Sequence, residues 1–69
     1  MVNVNLLKSE IVKNGYNQET FCQKIGMAHS TFVRKMKKAV VTTDEAKDMC
    51  NVLNITEDSK KVEIFLQQN

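Results

Sequence analysis

The chain has 69 residues, 42% of them hydrophobic, with ten Lys and Arg against eight Asp and Glu. That is enough apolar side chain for one small core and too much for a disordered tail, and no run approaches the roughly 18 apolar residues of a membrane span. The start MVNVNLLKSE has neither the basic region nor the apolar stretch of a signal peptide, so residues 1–69 are read as a single cytoplasmic domain; Met1 and the polar Gln67-Gln68-Asn69 ending favour a complete small protein over the alternative, a fragment of a longer chain.

Apolar residues recur at helical spacing along the chain. Val4, Leu7 and Ile11, flanked by Leu6 and Val12, predict a first helix ending near Asn14 and Gly15, a C-terminal stop signal. Asn17 is a natural N-cap for a second helix, QETFCQKI, with Phe21, Cys22 and Ile25 inward and Gly26 closing it. A third helix runs from about His29 to Lys37 on the core pair Phe32 and Met36. Thr42-Thr43-Asp44-Glu45 has the form of a capping box, in which the threonine hydroxyl and the glutamate each satisfy the other's backbone N–H. Val41 staples onto Ala46, and a fourth helix follows with Ala46, Met49, Cys50 and Leu53 on one stripe. Thr56 is the expected cap of a last short element. VEIFLQ, residues 62–67, fits a helix through Val62, Phe65 and Leu66 or a strand through Val62, Ile64 and Leu66. Four to five short helices joined by tight turns predict a compact all-α domain.

Charge is unevenly placed. Residues 1–19 are neutral overall, and residues 44–69 carry a net −3. Residues 20–43 hold Lys24, Arg34, Lys35, Lys37 and Lys38 with no acid. At about 100° per residue, Ser30, Arg34, Lys37 and Lys38 all fall within about 60° of the direction opposite Phe32. The third helix therefore presents a cationic, hydrogen-bonding face, which suits a polyanion. An arginine there matches guanine O6 and N7 in a major groove, and serine or histidine can reach a base edge or a phosphate.

Enzyme chemistry is not expected. His29 and Ser30 are sequence neighbours with no third group to orient them as a triad, and no phosphate-cradling glycine loop is present. Asp44, Glu45 and Asp48 lie in the first turns of the fourth helix, where acids complement the helix dipole. One histidine and two cysteines at unsuitable spacing do not make a zinc site, so neither metal nor cofactor nor small-molecule ligand is expected. Cys22 and Cys50 are read as buried reduced thiols.

Residues 18–37, two short helices and a glycine-containing turn, have the helix-turn-helix spacing. QETFCQKIGMAHSTFVRK resembles the helix-turn-helix of the Cro and lambda-type phage repressors, and EAKDMCNVLNIT resembles their fourth helix and following turn, a likeness covering about residues 4–56. The resemblance implies a lambda-repressor-like DNA-binding domain acting on a double-stranded operator. It implies base reading by His29, Ser30 and Arg34, and backbone contacts by Gln18, Lys37 and Lys38; Thr31 and Lys35, on the same helix, are read as further backbone contacts. It also implies a homodimer, for which Val62, Ile64, Phe65 and Leu66 are the candidate contact. Three residues depart from the pattern. Ala28 stands where a capping Ser or Thr is usual, His29 replaces a common glutamine or arginine, and Lys35 occupies an often apolar position. The expected role is a Cro-like phage or prophage repressor working by promoter occlusion. The alternatives are an antitoxin-like or anti-repressor interaction module, or an architectural DNA binder of the excisionase type.

Overall fold

The computed structural model describes residues 1–66; Gln67, the last residue of the VEIFLQ segment, lies outside them. Five helices follow in order: α1 (Val4–Lys13), α2 (Gln18–Ile25), α3 (His29–Lys38), α4 (Thr43–Val52) and α5 (Asp58–Phe65). There is no strand among the described residues. They pack into a body of 26 × 24 × 20 Å, and no helix among them is long and apolar enough to cross a membrane.

The helix ends follow the local chemistry of the sequence. Asn17 accepts from the Thr20 N–H at 2.8 Å, and the Asn17 N–H donates back to the Thr20 hydroxyl at 3.0 Å. Two orphan donors at the start of α2 are thereby satisfied. Gly26 closes α2 in the left-handed region at φ 71°, and the Met27 N–H reaches the Cys22 carbonyl at 3.0 Å. The end of α3 repeats this geometry with alanine: Ala39 sits at φ 55°, and the Val40 N–H donates to the Lys35 carbonyl at 3.2 Å. An L-residue in that conformation is strained by about 1–2 kcal/mol. Ala39→Gly is therefore expected to stabilise the domain by about 0.5 kcal/mol after glycine's extra chain entropy is counted. Thermal unfolding followed by circular dichroism would show a midpoint higher by a few degrees.

Phe21 of α2, fully buried, is at the centre of the core. Its ring meets Phe32 of α3 edge-on at 6.1 Å and Tyr16 in a tilted contact, also at 6.1 Å. Leu7 and Ile11 from α1, Met49 and Cys50 from α4, and Ile64 from α5 pack into the same core. α2 contacts α1, α3 and α4, while α5 packs on α1. The sole buried charged residue of the described chain, Glu10, joins α1 to α5 through Lys60 at 3.0 Å, with Lys13 at 4.0 Å. Such a pair fixes how two helices sit, because a buried carboxylate without a partner is costly. Cys22 and Cys50 are buried and free. Burial pushes both thiols up, and Lys61 partly offsets the rise at Cys50.

Several expectations need correction. VEIFLQ is helical as far as Phe65, with adjacent Ile64 and Phe65 both buried, an arrangement that alternating strand side chains cannot make. The inward stripe is therefore not Val62, Phe65 and Leu66, since Val62 and Leu66 are exposed. Ile64 and Phe65, offered as dimer contacts, instead serve the chain's own core, which leaves Val62 and Leu66 as the outward residues of that segment. Thr56 does not cap α5; Glu57 holds the cap position without a side-chain hydrogen bond. Val12 points into solvent, whereas Val2, which the helical pattern did not include, is buried. The Val2 N–H donates to the Ala39 carbonyl at 2.8 Å, and the Asn3 N–H donates to that of Ile64. The N-terminal segment thus ties the ends of α3 and α5 together.

Candidate nucleic-acid interface

α2 and α3 are joined by three residues, Gly26, Met27 and Ala28. Phe32 and Met36 are the two buried residues of α3 and seat it on the core. The opposite side stays in solvent: Ser30, Arg34, Lys37 and Lys38 are all exposed, as is His29 at the helix start, which lies about 60° from Phe32. No side chain caps the start of α3 at Ala28. Its first-turn amides, those of His29, Ser30 and Thr31, therefore face outward as donors on the positive end of the helix dipole. Thr31 and Gln18 are half-buried beside this face.

Lys35 behaves differently from its neighbours. Its ammonium lies 3.1 Å from Glu45 Oε1, with both side chains about three-quarters buried. The same oxygen accepts from the Thr42 N–H at 2.8 Å, while the Glu45 N–H donates to the Thr42 hydroxyl at 3.1 Å. The capping box of α4 therefore also holds the C-terminal half of α3. Lys35, read from the sequence as a backbone contact, is paired with Glu45 and only partly exposed, unlike Arg34, Lys37 and Lys38. The cause is its angular position, about 60° from Phe32 and so on the flank of the buried stripe.

The Thr42 backbone N–H, helped by Lys35, holds the Glu45 carboxyl below the usual carboxylate range, against the opposing effect of burial. A depressed folded value contributes stability above the ordinary glutamate pKa of about 4.3. That contribution is lost as the pH falls through the folded value. Glu45→Gln keeps the capping geometry and removes the charge. It should cost under about 1 kcal/mol near neutral pH, with the gap to wild type closing below about pH 4. Urea denaturation across a pH series would measure this.

Two clefts flank α3. On one side Arg34, Lys35, Lys38 and Val40 line a groove of about 390 Å³. On the other, Lys37 meets Gln18 of α2 and Lys8 of α1 around a cleft of about 260 Å³. Lys8 was missed in the sequence, where nothing local sets it apart from any other surface lysine; only the packing of α1 against α2 and α3 brings it here. A separate apolar groove of about 470 Å³ runs between α4 and α5, lined by Val41, Ala46, Cys50, Phe65 and Leu66 with Lys47 and Lys61 among its polar residues. Among the described residues no three of His, Cys, Asp and Glu gather into a group able to hold a metal ion.

No family model matches the chain, and neither a curated protein nor a solved structure matches it.

Proposed function

We propose that the chain is a sequence-specific double-stranded DNA-binding transcriptional regulator of the Cro-like repressor kind, with α3 entering the major groove. The observation that supports this reading is the face of α3. Seated by Phe32 and Met36, it turns Ser30, Arg34, Lys37 and Lys38 to solvent. Among the described residues, no carboxylate lies within ion-pair distance of Arg34, Lys37 or Lys38. Arg34 and Ser30 lie near the middle of that face, suited to base edges, while His29, exposed in the first turn of α3, flanks it about 60° from Phe32. Lys37 and Lys38 diverge by about 100° around the helix, toward the two flanking clefts, where phosphates of opposite strands would lie. Gln18 and Thr31 supply neutral donors at the margin.

Repression would follow from occupancy alone, the bound domain blocking a promoter. As a homodimer it would place two copies of α3 about 34 Å apart on successive turns of the groove, with Val62 and Leu66 as the outward apolar residues of α5 available to pair. The groove between α4 and α5 favours a second reading, an antitoxin-like or anti-repressor module that binds a protein partner. Selection from a random duplex pool separates these. A palindromic site supports the dimeric repressor, an asymmetric or phased site supports an architectural, excisionase-type role, and no duplex binding in dilute salt leaves the interaction module.

A further inference from the structure

Lys8, Gln18 and Lys37 come from three different helices and line one cleft, whose remaining lining is the apolar Val4, Val33 and Met36. No carboxylate lines it. Among the described residues, neither Lys8 nor Lys37 has an acid within ion-pair distance. The two carboxylates that form ion pairs turn elsewhere: Glu10, two residues beyond Lys8, to Lys60 and Lys13, and Glu45 to Lys35. Two lysines lining one cleft with no acid in its wall give it a positive potential, and the apolar lining lowers the local dielectric and strengthens their pull on an anion. The cleft is roomy for a solvated oxyanion, since water occupies about 30 Å³ per molecule in the liquid.

We infer that this cleft seats one backbone phosphate of duplex DNA, with Lys8 and Lys37 supplying charge and the Gln18 amide a neutral donor. The inference rests on the DNA-binding reading and adds to it a contact from α1. Phosphate contacts set position without carrying sequence information. A seat built from α1, α2 and the C-terminal half of α3 would fix how deep α3 lies and where along the groove Arg34 meets its base. Lys8 is in this sense a positioning residue.

The test is fluorescence anisotropy of a labelled duplex over a range of KCl concentrations, comparing wild type, Lys8→Gln and Lys61→Gln, the last lying off the cleft on α5. Lys8 is exposed, so circular dichroism of Lys8→Gln should match wild type. Binding by Lys8→Gln should be several-fold weaker on every sequence, with unchanged base preference. Its log–log salt slope should be shallower by about 0.9, the value of one phosphate contact. Lys61→Gln should keep the wild-type slope. A steep wild-type slope left unchanged by Lys8→Gln would overturn the seat alone. An equal loss in Lys61→Gln would reduce the effect to net charge and also overturn it. Absence of wild-type binding in dilute salt would overturn both the seat and the DNA reading.

Discussion

Phe32→Ala is expected to remove most of the domain's stability. The Phe32 side chain is fully buried, and its ring meets Phe21 edge-on where α2 and α3 pack together. Truncating a buried phenylalanine costs about 3–5 kcal/mol, because the cavity adds to the lost transfer energy. A chain of this size has little reserve, with native domains lying at about 5–15 kcal/mol and small ones toward the lower end. Phe32→Leu, which keeps most of the volume, should cost far less, roughly 1.5 kcal/mol or under if the core repacks. Urea unfolding followed by far-UV circular dichroism distinguishes the two. A Phe32→Ala midpoint close to wild type would mean that α3 is not seated by this ring.

Arg34→Ala is expected to leave the fold intact and weaken binding to a selected duplex by about 1–3 kcal/mol, with relaxed preference at one base pair. That is roughly fivefold to 150-fold in affinity. Arg34 is exposed and belongs to no ion pair among the described residues, so its loss has little folding cost. Arg34→Lys sharpens the test. It preserves the charge and hence the salt slope, yet an ammonium cannot reproduce the two-pronged donation of a guanidinium. Affinity on non-specific duplex should be nearly unchanged while discrimination falls. Loss of affinity by Arg34→Ala on every sequence alike would move Arg34 from base reading to backbone contact.

Much of the fold was legible because local signals agreed with one another. Asn17 as an N-cap, and Thr42 followed by Glu45, are local signals that act within a single turn, so sequence alone is enough to place α2 and α4. Phe32 and Met36 at i and i+4 fixed which way α3 faces. The errors occur where tertiary geometry decides. In α5 the exposed pair Val62 and Leu66 also has helical spacing, and only the packing of α5 on α1, with Glu10 reaching Lys60, selects Ile64 and Phe65 as the inward residues. Val2 lies before the first helix and is buried where it and Asn3 hydrogen-bond to two distant helix ends, which no period encodes.

The outward face of α3 followed from helical angle alone, whereas its charge balance did not. Lys35 sits in a stretch without a single acid, and its partner Glu45 arrives ten positions later by a turn of the chain. Its angle beside Phe32 was the available hint. Lys8 shows the converse: it is far from the basic stretch in sequence and adjacent to Lys37 and Gln18 in space. A basic run thus overstated one residue and concealed another.

The claim that α3 is the DNA-contacting surface is tested most directly by mapping backbone amide NMR shifts as duplex DNA is added to the labelled protein at low salt. The account predicts perturbations concentrated on His29 to Lys38, on Gln18 and around Lys8, fading as salt is raised, with Lys47, Lys61 and the α4–α5 groove little affected. No perturbation on α3, or shifts confined to the groove between α4 and α5, would contradict it.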